Sequence, residues 1–187
     1  MARTLSGAGW VQKFPTSRST NDLADPFKSK VNKFIAALKN AGANPVIAAT
    51  RRPKERAYLM HFSFKISNGY DPRNVVEMPG VDIEWVHRDP NGSVNLTASK
   101  TAANNMVEGY GIAYQPALLS HHTQGNAIDM TIRWTSTQLT ITDATGTVVV
   151  IKTGAKDGSN IQLHKVGVTY GVIKLVIDPP HWSNDGH

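Results

Sequence analysis

Cysteine is absent from the 187 residues, so disulfides, thiolate metal ligands and a cysteine nucleophile are all excluded. Long apolar runs are absent too. None approaches the roughly 18–20 residues needed to cross a bilayer, which excludes membrane insertion as an expectation. The first ten residues lack the continuous apolar core of a secretory signal. The expectation is therefore a protein that stays in the cytoplasm where it is made until something else releases it. Charge is sparse at 18% of residues, and hydrophobic residues make up 40%, a balance that suits a folded chain and not a disordered one. The small charge excess is positive, +6. That favours an anionic partner without choosing among nucleic acid, lipid and acidic wall polymer. No helix-turn-helix or aromatic RNA-binding pattern accompanies it, so no nucleic-acid partner is expected. The basic residues are scattered, apart from a short cluster over 51–56.

The length favours one domain, 1–187, able to bury a core without staples. Residues 1–24 read as an irregular segment, with Trp10, Phe14 and Leu23 available to pack onto the body. Asp25 and Pro26 predict a helix start, and Phe27, Val31, Phe34, Ile35 and Leu38 fall at helical spacing up to Gly42. A short buried strand is predicted over 45–50 and a second helix from Pro53 to about Asn68. After a loop-rich stretch, a third helix runs over 97–108 with Thr97 as its cap. A strand over 127–134, a hairpin of 138–142 with 147–152, a helix over 159–170 and a last strand over 172–177 complete the pattern. Short helices and mostly non-crossover strands predict an α+β fold, a small central antiparallel sheet flanked by helices. The expected state is a monomer.

Two segments concentrate chemistry. One is Ser120-His121-His122-Thr123-Gln124-Gly125-Asn126-Ala127-Ile128-Asp129. The other is Asp178-Pro179-Pro180-His181-Trp182. Each places a histidine and a carboxylate beside a predicted strand. Zinc sites that do chemistry use three protein ligands and leave a fourth position for water. His122 in a turn, Asp129 at the following strand and His181 after the last strand supply such a set. A turn through Gly125 would bring the first two together. Asp178, three residues before His181 on a stiff diproline link, suits a general base beside the metal. His121 points away from its neighbour and is expected to line the cleft. His61, His87 and His164 are read as uninvolved, and His187 as a disordered terminus. Tyr114 and Trp134 are read as core in preference to sugar-stacking platforms.

These residues resemble the zinc D-alanyl-D-alanine peptidases, a group of carboxypeptidases, dipeptidases and phage L-alanyl-D-glutamate endopeptidases. Ser120, His122, Gly125, Ala127 and Asp129 match its Ser-x-His-x-x-Gly-x-Ala-x-Asp motif, and Asp178, His181 and Trp182 match its closing acidic-x-x-His-Trp. Upstream, Ala49-Thr50-Arg51-Arg52-Pro53 resembles the family's strand-end arginine. The landmarks run from about residue 45 to 182. The resemblance implies one Zn2+ held by His122, Asp129 and His181, with Asp178 as base and Arg52 polarising the scissile carbonyl or holding a substrate carboxylate. Ser120 and Trp182 would support the site. It also implies a hedgehog-like sheet carrying the zinc cleft. Many members carry glutamate where this chain has Asp178. Some phage endopeptidases use aspartate, which draws the reading toward an endolysin acting on peptidoglycan stem peptides, stored in the cytoplasm or carried on the virion. A carboxypeptidase or dipeptidase is the alternative within the family. A zinc-stabilised wall-binding module without activity is the alternative outside it.

Overall fold

The computed structural model describes residues 3–187. In chain order its elements are β1 (Thr4–Leu5), α1 (Phe27–Asn40), β2 (Asn44–Ala49), α2 (Lys54–Ser67), β3 (Ile83–Glu84), α3 (Leu96–Tyr110), α4 (His121–Gln124), β4 (Ala127–Arg133), β5 (Leu139–Thr142), β6 (Val148–Ile151), α5 (Ile161–Thr169), β7 (Ile173–Lys174) and β8 (His181–Ser183). The mixture of helices with a small antiparallel sheet is α+β. The chain divides into two compact units. One comprises the described residues up to Pro15 together with Pro53–Leu119, and the other Thr16–Arg52 with Ser120–His187.

In the first unit α2 packs on α3, and β1 pairs in parallel with β3. Trp10, Tyr58, Leu59, Phe62, Ile66 and Trp85 form its core with Ala103 and Met106. The expected packing of Trp10 is explicit. Its indole N–H donates to the Leu5 carbonyl at 3.0 Å, and its own carbonyl accepts from the Tyr110 hydroxyl at 3.1 Å. The cap of α3 is Asn95, which accepts from Ala98 N at 2.8 Å, and not Thr97. Asparagine is a strong N-cap, and once it takes that position Thr97 lies inside the first turn. Tyr114, read as core, is 86% exposed.

The second unit is built on a four-stranded sheet in the order β2-β4-β8-β7, every pairing antiparallel. Strand alternation sorts β4 cleanly. Ile128, Met130 and Ile132 enter a core with Phe27, Val31, Phe34 and Leu38 of α1 and Leu163 and Val166 of α5. Asp129, Thr131 and Arg133 take the opposite face, where Thr131 and Arg133 are exposed. Strand β2 is at the sheet's edge and alternates between exposed and covered positions, so the expectation of a fully buried strand is corrected. Asp25 does not cap α1, because it lies one residue too early. It accepts instead from the Ser29 hydroxyl at 2.8 Å and pairs with Lys28 at 3.5 Å.

The largest departure from the sequence pattern is at the end of the chain. The expected strand over 172–177 stops at Lys174. Val176 and Ile177 project outward, Ile177 90% exposed, and the chain turns back through Pro180 to form β8. Strand β8 inserts between β4 and β7 and is itself the segment that carries His181. His187 is not a loose end. Its N–H donates to the Ser183 hydroxyl at 3.0 Å and closes a terminal turn.

Candidate metal centre

His122 is placed by a single helical turn, α4, fixed at both ends. Ser120 accepts from Thr123 N at 3.3 Å, and the Thr123 hydroxyl accepts in return from Ser120 N at 2.8 Å, a reciprocal capping box. At the other end Gly125 adopts a left-handed φ of 76°. A Cβ there would also stand 2.8 Å from Ala24 N, the donor that bonds the Gly125 carbonyl at 3.0 Å. Both conditions call for glycine. Gly125→Ala is therefore expected to lower stability by about 1–3 kcal/mol and to weaken metal binding through His122. An unchanged melting temperature would refute this account of the turn.

Asp129 follows on β4, directly opposite His181 of β8 and Ala49 of β2 in the sheet register. The three side chains converge. His122 Nε2 lies 3.2 Å from Asp129 Oδ1 and 3.2 Å from His181 Nδ1, and His181 Nδ1 lies 3.1 Å from Asp129 Oδ1. Among the described residues this is the group of three that could hold a metal ion. Its histidines are 6% and 8% exposed.

The outer nitrogens decide what these inner atoms are. His122 Nδ1 stands 2.6 Å from the Thr50 carbonyl, and His181 Nε2 stands 3.1 Å from the His187 main-chain oxygen. A carbonyl can only accept, so each outer nitrogen carries the proton and each inner nitrogen presents a lone pair. Two lone pairs and a carboxylate oxygen thus face one another without a hydrogen among them. Such an arrangement repels itself unless a cation stands between its members. Donors about 2.0 Å from the centre of a tetrahedron stand about 3.3 Å apart, close to the separations here. Two imidazoles and one carboxylate suit a first-row divalent ion better than magnesium or calcium, which prefer all-oxygen sets. The residues therefore fit a metal of that class.

Without a metal, a proton must serve. Burial disfavours the charged His181 ring, but the hydrogen bond and charge of Asp129 outweigh it and raise the pKa above the ordinary 6.5. Burial likewise works against the Asp129 anion, and the hydrogen bonds of His122 and His181 overcome it, leaving the pKa below the ordinary 3.8. The raised His181 value contributes stability below about pH 6.5 that is lost as pH rises through the folded pKa. The depressed Asp129 value contributes stability above about pH 3.8 that is lost as pH falls through its folded pKa. Stripped protein is thus most stable between those limits. A metal competes with the proton, so it binds tighter at higher pH. The melting temperature gained on adding zinc to stripped protein should widen between about pH 5 and about pH 8. A gain that stays constant or shrinks would contradict this picture.

The remaining expected residues surround the trio in different ways. Asp178 is exposed and outside the ligand set. Burial lowers the Lys174 pKa, and the Asp178 charge opposes that shift as it also adds to the raised pKa of His181, so its carboxylate is electrostatically close to both. The Arg52 backbone N–H donates to the His122 carbonyl at 3.0 Å. Arg52 is half-buried where Arg51 is exposed. His121 is not part of the trio, and its Nε2 lies 3.3 Å from Asp185 Oδ1. Trp182 is fully buried under the centre, its ring 5.6 Å from that of Phe34 and 5.7 Å from that of His164. Gly167 makes room for it, since a Cβ there would lie 2.8 Å from the indole. His61, His87 and His164 are engaged elsewhere, with Pro116 O, Ser6 Oγ and Gly158 O.

Three participants were not foreseen. The Thr50 carbonyl and the His187 main-chain oxygen orient the two rings, and backbone atoms leave no mark in a sequence. Lys174 did leave one, as a lone charge inside the apolar run 172–177.

Compared with protein-family models, curated proteins and solved structures, the chain matches none. The fold and the trio therefore define an α+β protein with a candidate metal centre, and its activity rests on chemistry alone.

Proposed function

We propose that this protein is a zinc-dependent peptidase of peptidoglycan stem peptides with a hedgehog-like sheet, most simply an endolysin-type enzyme cutting between L-alanine and D-glutamate. The observation that carries the reading is the trio of buried acceptors, His122 Nε2, Asp129 Oδ1 and His181 Nδ1, with a separate exposed carboxylate, Asp178, close by. Three ligands plus an independent base is the division of labour that metal-assisted amide hydrolysis requires. A bound zinc ion supplies Lewis acidity and brings the pKa of water down to about 7.

The chain's own residues do the rest. Asp178 takes the proton of the attacking water and returns it to the leaving nitrogen. Arg52, pinned by its backbone to His122, stabilises the charge that develops on the carbonyl oxygen. Thr50 and His187 hold the two rings in the tautomers that leave their inner nitrogens free. We place an extended peptide along the face of β4 beyond Asp129, where Thr131 and Arg133 are exposed. The sequence motifs resembling zinc D-alanyl-D-alanine peptidases supply the substrate class.

The test is purified muropeptide incubated with zinc-loaded protein, with and without a chelator, the products read by mass spectrometry. Chelator-sensitive cleavage is expected, and the fragment masses name the bond. Terminal D-alanine release would move the assignment to a carboxypeptidase. A folded, zinc-loaded sample that binds muropeptide and leaves it intact would replace the peptidase with a wall-binding module.

A further inference from the structure

We propose that Lys174 is a positioning residue for this centre, its ammonium holding the 175–180 loop so that Asp178 and His181 keep one fixed offset. The inference rests on the peptidase reading and extends it to a residue outside both sequence motifs.

Lys174 is 7% exposed. Its Nζ donates to the main-chain carbonyls of Leu175, Asp178 and His181, the last two at 2.5 and 3.1 Å. Among the described residues no carboxylate lies within ion-pair distance of it. A buried cation without a paired anion is costly, and an apolar side chain on β7 would avoid that cost. What the ammonium gains is visible in the loop. Pro179 and Pro180 bring no N–H, so the turn has more acceptors than donors. The amides that remain close it, Asp178 N to Leu175 O, His181 N to Asp178 O and Leu175 N to His181 O. Those same three carbonyls converge on Nζ, and three aligned carbonyl dipoles repel one another unless a cation faces them. An ammonium has three donors for the purpose.

Hydrophobic packing adds little to the loop. Val176, Ile177, Asp178 and Pro179 are exposed, so apolar burial does not fix its tip. Outside the cage, Met130 N donates to the Pro180 carbonyl at 2.8 Å and ties the loop to the strand that bears Asp129. The two residues that must stand in register, base and ligand, are both gripped through their own carbonyls by one side chain.

The experiment compares wild type with Lys174→Met, which keeps the stem and removes the donors. Zinc affinity by competition titration is expected to fall about 10–100-fold, the range for loss of an outer partner of a metal site. On muropeptide, kcat should fall by a similar factor with KM nearly unchanged. Because the chain contains no cysteine, Lys174→Cys introduces a unique thiol. Aminoethylation of that thiol in denaturant, followed by refolding, rebuilds the ammonium and should restore zinc affinity. Capping the thiol with a neutral ethyl group should not. Wild-type zinc affinity and kcat in Lys174→Met would overturn the proposal, as would equal rescue by the ethyl cap. If the variants do not fold, 15N NMR of the native protein decides. A slowly exchanging Lys174 ammonium coupled to the three carbonyls supports the cage, and exchange as fast as surface lysines overturns it. Wild type that binds zinc and cleaves nothing ends the peptidase reading while the affinity arm still judges Lys174. Wild type that binds no divalent metal overturns both.

Discussion

Asp178→Asn is expected to abolish nearly all turnover of muropeptide while leaving one metal ion bound per chain. The amide has the size of the carboxylate and cannot take a proton. A positioned general base contributes about 10²–10⁴-fold, and kcat should fall by that factor. Zinc affinity should stay within a few-fold, because Asp178 is outside the converging trio and reaches His181 only through its field and its backbone. Removing its negative charge should lower the His181 pKa slightly, which favours the metal over the proton. Parallel loss of metal and turnover would make Asp178 a ligand and refute the separation of roles. Its shortness relative to glutamate suits the proposed role only if the loop holds it close, the task we propose for the Lys174 cage.

How much of this was legible in the sequence depends on the kind of interaction. Helix α1 was readable because Phe27, Val31, Phe34 and Leu38 repeat with the helical period and all meet the same core. The trio was readable because its members lie at turn-and-strand spacing in two short segments, and the structure brings His122, Asp129 and His181 to within 3.2 Å of one another. The last strand was misread for a physical reason. Val172 to Ile177 is apolar apart from Lys174, and hydropathy alone cannot register that the Lys174 ammonium gathers three carbonyls where the strand stops. Exposed Val176 and Ile177 are therefore a consequence of the turn and not a failure of the core. Tyr114 misled in the opposite way, since a large aromatic suggests burial and this one lies on the surface. Backbone partners such as Thr50 O are invisible to any reading of side chains, yet they set the tautomers on which the metal site depends.

Asp129→Asn separates the two demands placed on the trio, and its expected result is opposite for metal and for fold. In the native site three acceptors face one another, and only a cation satisfies them. The asparagine amide brings two donors to the same point, one for His122 Nε2 and one for His181 Nδ1, at the places where Oδ1 now stands 3.2 and 3.1 Å away. The cluster becomes satisfied with no ion at all, and a buried charge is removed. Zinc affinity should therefore drop by more than about 100-fold, past the loss typical of an outer partner, and activity should vanish with it. Stripped of metal, the variant should be as stable as stripped wild type to within about 1 kcal/mol. Its stability should also cease to fall as pH rises from about 5 to about 8, because the shared proton is no longer needed. Urea titrations of metal-free samples at the two pH values, with zinc competition alongside, read both effects. Tight stoichiometric zinc in the variant would remove Asp129 from the ligand set. A metal-free variant that kept the wild-type pH slope would show that the histidine proton was never held by this carboxylate, and the acceptor-only description of the centre would fall with it.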